Sequence, residues 1–166
     1  MNDLESILAD NRAAVERLIA AAEGSADAWT EPRAPRKWSP AQIVEHVAMS
    51  LEEGGNVVAG RPAKLPSLPF FLRPLAALMF KRVLRKGGFP NVKTNKAMDP
   101  PRGPADPGAG RERLLGATAV FEAECRARAA MGRDAVSHTF GRVKVEEYAR
   151  FVALHTRHHL AQMPPS

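Results

Sequence analysis

An all-α helical bundle is the fold this sequence predicts, and three observations predict it. Alanine is heavily used and β-branched residues are sparse, a composition that favours helix over sheet. Long segments near both ends of the chain carry apolar residues at three- and four-residue spacing. Helix start and stop signals bracket those segments. The 166 residues suit one domain, residues 1–166, with length enough for a sizeable core.

The first helix runs from Leu4 to about Glu23, with Leu4, Ile7, Leu8, Val15, Leu18 and Ile19 on one face and Gly24-Ser25 as its stop. A linker with Pro32 and Pro35 follows, and its Trp29 and Trp38 are expected to cover a bundle end. The second helix has the clearest start. Ser39 caps it, Pro40 takes the first helical position and Gln42 completes a capping box, with Trp38 in staple-like contact. Ile43, Val47, Leu51, Gly54 and Val58 trace its apolar side to the break at Gly60. His46 and Glu53, seven residues apart, share the shoulder of that side. Glu53 reads as an orienting acceptor, a base or, most simply, a salt-bridge partner.

Residues 61 to 107 are the least regular part, punctuated by Pro62, Pro66, Pro69 and Pro74. A third helix lies within Phe70 to Lys86, its regular part Leu75 to Lys86, because Pro74 restricts the start. Leu75, Leu78, Met79, Val83 and Leu84 are expected on the core, with Lys81, Arg82, Arg85 and Lys86 in water. Joined to Phe70, Phe71 and Leu72, the same pattern also reads as an interfacial amphipathic segment making peripheral membrane contact. Gly87-Gly88 ends it, and Asn91 to Gly110 reads as a crossover bordering a pocket. The next helix runs from about Ala109 to Met131, with Leu114, Leu115, Thr118, Phe121 and Cys125 inward. A connection from Arg133 to Lys144 contains Phe140 as an anchor and Gly141 as a turn. The last helix spans Val145 to Met163, stopped by Pro164-Pro165.

Charge and cysteine usage narrow the functions. The formal net charge is +6, and no acidic residue stands between Glu53 and Asp99 among nine lysines and arginines. That basic middle, with Arg82, Arg85 and Lys86, suits an anionic group of a small molecule. Nucleic acid is disfavoured, since no aromatic stacking or groove-reading motif accompanies the charge. Cys125 is the only cysteine, so no disulfide forms within the chain; it reads as a small buried hydrophobe. With no secretory signal pattern and no run of about 20 apolar residues, a cytoplasmic protein is expected.

The chemistry lies in the last helix. His155 and His159 are four residues apart, so their rings leave adjacent turns of one face. Tyr148, Phe151 and Gln162 share that face, while Arg150 and Arg157 fall outside it. Two imidazoles in a large-side-chain stripe, with His46 from a facing helix, are expected to make a three-histidine site for a divalent metal such as zinc, nickel or iron, the ordinary alternative being packed or partly exposed histidines. Gln162 is placed to orient water or a ligand, and Tyr148 to close the pocket floor. His158 points about 100° away from His159 and falls behind the ligands, to the pocket rim or to solvent. His138 is a reserve ligand. The pair lacks the glutamate of an HExxH helix, since Thr156, Arg157 and His158 stand between its histidines, so a hydrolase has no evident base.

Trp38-Ser39-Pro40-Ala41-Gln42-Ile43-Val44-Glu45-His46-Val47, then His138-Thr139-Phe140-Gly141, then His155-Thr156-Arg157-His158-His159-Leu160-Ala161-Gln162 resembles the DinB/YfiT-like superfamily, nearest its domain of unknown function 1569 branch. The resemblance implies an up-down-down-up four-helix bundle, to which the residues of the crossover, outside the resemblance, add a short helix. It implies His46, His155 and His159 as ligands of zinc, nickel or a related ion, and a homodimer. Some branches resemble transferases that activate a low-molecular-weight thiol at the metal. The expected function is therefore a metal-dependent enzyme, a thiol-dependent S-transferase acting on a small electrophile. The alternative is a non-catalytic stress or interaction protein with a structural metal.

Overall fold

The computed structural model of the chain describes residues 3–65, 67–90 and 96–164. In chain order these form α1 (Leu4–Glu23), α2 (Pro40–Ala59), α3 (Arg73–Lys86), α4 (Pro107–Ala130), β1 (Ala135–Ser137), β2 (Gly141–Val143) and α5 (Val145–Leu160). Single 3₁₀ turns lie at Ala26–Ala28, Phe70–Leu72 and Lys96–Met98. Pro66, Lys93, Pro165 and the first residues of the predicted crossover, 91–95, lie outside the described residues.

Side-chain pairings fix the direction of each helix. Arg113, early in α4, binds Glu45 and Glu52 on α2, while Gly55 faces Phe121 and Gly60 faces Arg128. The two helices therefore run parallel. Against α4, α1 runs the other way: Glu5 pairs with Arg126, Arg12 with Glu122 and Glu23 with Arg111. Helix α5 opposes α2, since His159 meets His46 and Tyr148 meets Gly54. The result is an up-down-down-up bundle of α1, α2, α4 and α5. A parallel α2–α4 pair needs a crossover the length of the bundle. Helix α3 lies in that crossover and rests on α5 from outside.

Local chemistry explains the starts and stops. The capping box at α2 has both bonds: Gln42 N–H donates to Ser39 Oγ at 3.3 Å and Ser39 N–H to Gln42 Oε1 at 3.1 Å. Gly60, at φ 75°, ends α2 in a conformation that side chains with a Cβ rarely adopt. Along α2, Ile43, Val44, Val47, Leu51 and Val58 are buried, each contributing on the order of 1.5–3 kcal/mol. They meet Leu8, Val15 and Leu18 of α1, Leu114 and Phe121 of α4, and Val152 of α5 in one core.

The structure corrects several expectations. Helix α4 starts at Pro107, because Asp106 Oδ1 accepts the Ala109 N–H at 2.8 Å and caps it two residues early. Its inner stripe omits Leu115, which is 45% exposed. Helix α3 starts at Arg73: a proline in the first turn costs no hydrogen bond, so Pro74 begins the helix rather than delaying it. Its buried residues are Ala76, Phe80, Val83 and Leu84, while Leu75, Leu78 and Met79 face outward. The third-helix segment thus has apolar residues on both sides, and the larger buried ring, Phe80, decides which side docks. The Arg133–Lys144 connection folds into an antiparallel hairpin, Val136 opposite Arg142, with Ala135 and Val143 buried. Helix α5 ends at Leu160, and Met163 lies in the following turn. No helix among the described residues is long and apolar enough to cross a membrane.

Candidate metal centre

His46 stands two turns into α2, and His155 and His159 close α5, so the antiparallel α2–α5 contact brings three imidazoles from two helices together. Their Nε2 atoms converge. His155 Nε2 lies 3.3 Å from His46 Nε2 and 3.1 Å from His159 Nε2, and all three ligand atoms fall within 4.8 Å of one another. Four-coordinate zinc with Zn–N of about 2.0–2.1 Å sets its nitrogens roughly 3.3 Å apart. The donor set therefore fits a divalent cation held by three histidines.

Hydrogen bonds behind the rings point the lone pairs inward. His46 Nδ1–H donates to the Met98 carbonyl at 2.7 Å, and His159 Nδ1–H donates to Gln162 Oε1 at 2.9 Å. Both acceptors leave Nε2 unprotonated and aimed at the common point. His155, between them, can donate a single proton to one neighbour. A cation satisfies all three lone pairs where a proton satisfies one.

Burial keeps the rings neutral. It holds His46 below the ordinary histidine value, with the Met98 carbonyl opposing the shift. Burial and then the neighbouring imidazoles push His155 well below it, and burial chiefly takes His159 down to about 3. Aromatic rings flank the group. Trp38 lies 4.6 Å from His46 and 5.8 Å from His159, centroid to centroid, and Phe89 lies 5.3 Å from His155. Trp38 is itself held by Asp99, which accepts its Nε1–H at 2.9 Å.

The remaining predicted site residues spread further. Gln162 meets two histidines, since its Nε2 also donates to His158 Nε2 at 3.1 Å. His158 is half-buried, beside Phe89 and edge-on to His159 at 5.1 Å between centroids, and it is not one of the three converging ligands. His138 is exposed in the hairpin and is not in the metal-ligand cluster found among the described residues. Tyr148 is buried against Gly54 and Phe151, with Glu53 and Cys125 as neighbouring groups; no ring contact joins it to the triad among the described residues. Glu53 is buried and accepts the Leu65 N–H at 2.9 Å, so it ties down the start of the crossover. Among the described residues it makes no hydrogen bond to a histidine and no salt bridge. Arg82, Arg85 and Lys86 are exposed on the outer face of α3, and none has a hydrogen bond or ion pair to the triad among the described residues.

Sequence reasoning missed Met98, Trp38 and Phe89 as members of the site. The Met98 contact is a backbone carbonyl 52 residues from His46, and no side-chain pattern announces it. Trp38 carried a usable signal, being the aromatic residue two turns before a candidate ligand on a capped helix.

A four-helix bundle with a three-histidine cluster between its second and last main helices is thus the class that fold and site define. Residues 4–163 match the sequence profile of the DinB superfamily, and the chain belongs to that superfamily. No curated protein and no solved structure matches it.

Proposed function

We propose that this chain is a divalent-metal-dependent enzyme, a thiol-dependent S-transferase of the domain of unknown function 1569 branch that presents a low-molecular-weight thiol to a small electrophile. The observation that carries the reading is the convergence of three Nε2 lone pairs, two fixed from behind by Met98 and Gln162. Neutral imidazoles suit zinc or nickel. Bound there, such a cation supplies positive charge that lowers the pKa of a thiol beside it.

The chain's own residues support this assignment by what they do and do not offer. Trp38 packs beside His46 and Phe89 beside His155, and of the three rings His155 alone keeps partial exposure. Among the described residues no carboxylate joins the cluster, so a hydrolytic base is lacking there. Cys125 is fully buried, and burial pushes its thiol up to about 12, so the nucleophilic sulfur has to come from outside the chain.

Metal content of protein purified without an affinity tag tests the site. His46→Ala, His155→Ala and His159→Ala are expected to lose bound metal, while His158→Ala and His138→Ala keep it. Metal-loaded protein is then screened with low-molecular-weight thiols and an alkylating electrophile. Turnover that disappears with the triad variants supports the transferase. Metal bound at full occupancy with no turnover for any thiol replaces it with the structural-metal reading.

A further inference from the structure

The outer face of α3 is not explained by the metal centre. Six large apolar side chains are exposed within ten residues: Phe70 at 79%, Phe71 at 67%, Leu72 at 40%, Leu75 at 66%, Leu78 at 67% and Met79 at 39%. Helix α3 is nevertheless well anchored, with Phe80 stacked on Phe140 and Phe151. At about 100° per residue, Leu75 and Leu78 leave the side opposite Phe80 and Val83, with Met79 on its flank. Arg82, Arg85 and Lys86 continue that outward side one to two turns later. They are exposed, and no carboxylate pairs with them among the described residues, whereas Lys81 is engaged by Glu147 at 2.6 Å. The outward side is therefore graded, apolar in its first turns and cationic in its last.

We infer that the Phe70–Leu72 turn and the outer face of α3 dock on an anionic phospholipid surface. Charge complementarity selects this occupant. A bilayer edge provides hydrocarbon for the phenylalanines and leucines, and phosphates a few ångströms away for the arginines. A second copy joined by a two-fold axis would meet the patch with itself. Such an arrangement can match the apolar end with itself but offers the cations no partner from the patch, because no acidic residue lies between Glu53 and Asp99. A nucleic acid would neutralise the cations and leave the six apolar side chains in water. Since α3 rests on α5 by its inner face, docking leaves the three histidines in place and does not depend on their metal.

The test is co-sedimentation of the full chain with vesicles of phosphatidylcholine alone and of phosphatidylcholine with about one-third phosphatidylserine. Binding is expected only to the second, and it should weaken with salt. Arg82→Gln/Arg85→Gln is expected to lower affinity about fivefold for each arginine removed, ~1 kcal/mol apiece. Phe70→Ser/Phe71→Ser is expected to lower it by about tenfold for each ring. Both pairs are solvent-exposed, so circular dichroism should be unchanged, and His155→Ala should bind vesicles as the parent does. Absence of binding to anionic vesicles overturns the inference. So does equal binding by the phenylalanine variant, which reduces the effect to charge alone. A patch variant that changes the oligomeric state in a chain that ignores vesicles identifies a second copy as the occupant instead.

Discussion

Gln162 holds two histidines at once, accepting from His159 Nδ1 and donating to His158 Nε2. Its acceptor oxygen keeps the proton of His159 on the far nitrogen and the lone pair on the near one. Replacing such a partner behind a ligand commonly costs 10–100-fold in metal affinity. Gln162→Leu should therefore weaken zinc binding by about that factor while leaving the helical signal intact, as a competition titration with a chromogenic chelator would show. His158→Ala, which removes only the far end of the arrangement, should change affinity by much less. Equal losses in both would mean that Gln162 acts through His158 rather than on the ligand. The same scale decides Cys125. Its thiol is fully enclosed and pushed up to about 12 chiefly by burial, with Glu122 adding to the shift. At pH 8 a disulfide reagent should leave the native protein unlabelled and titrate one thiol after denaturation. Native labelling at the rate of a free cysteine would return Cys125 to the list of nucleophiles.

At the scale of elements, the returning crossover behaves as a strap across the start of α2. Met98 and Pro100 offer carbonyls to His46 and Gln42, Asp99 takes the Trp38 indole, and Pro104 takes the Trp29 indole at 2.8 Å. Gly103 lies so close to α2 that a Cβ there would stand 2.0 Å from the Ala41 carbonyl oxygen. Backbone on both sides leaves nothing flexible to yield. Gly103→Ala should cost about 1–3 kcal/mol in denaturant unfolding and also weaken metal binding, because moving the strap removes the Met98 carbonyl from His46. A variant with the stability loss and unchanged zinc affinity would uncouple the strap from the site. This strap also shows where sequence reading stops. The capping box and the His155/His159 pair were legible because each is local: residues three or four apart on a helix meet whatever the rest of the chain does. His46 was legible as a ligand only once α5 supplied a partner. The inward side of α3 was not legible, since Leu75, Leu78 and Phe80 are all apolar and only Phe140 and Phe151, from elements far along the chain, settle which side is covered. Strands of three residues are too short for alternation to declare the hairpin.

The whole molecule links protons, metal and stability through its buried imidazoles. In an unfolded chain histidines titrate near 6.5. In the fold His46 and His155 lie below that value and His159 lies at about 3, each chiefly because burial disfavours the charged ring. Between about pH 6.5 and those lower values the unfolded state binds more protons, so stability rises with pH across this window. Acidification therefore begins to destabilise the metal-free protein as pH falls through 6.5 and continues until the folded values are passed. Glu52 responds later: its bonds to Arg113 hold it below 4.5, so its contribution, present above 4.5, is lost only as pH drops through that lower value. The interval from pH 6.5 to 5 thus reads mainly the imidazoles. A cation that binds the fold and not the unfolded chain adds RT ln(1 + [M]/Kd), about 2.7 kcal/mol at a hundredfold excess over Kd, and protons compete for the same nitrogens. Calorimetry should find Tm raised by zinc at pH 7.5, the increment persisting while the folded rings stay neutral and shrinking only as pH nears their lowered values. The metal-free Tm should itself fall as pH drops below about 6.5. A His46→Ala/His155→Ala variant should show a shallower acid slope and no zinc increment. An identical Tm with and without zinc at pH 7.5 would mean that three converging imidazoles hold this bundle together without ever closing on a metal.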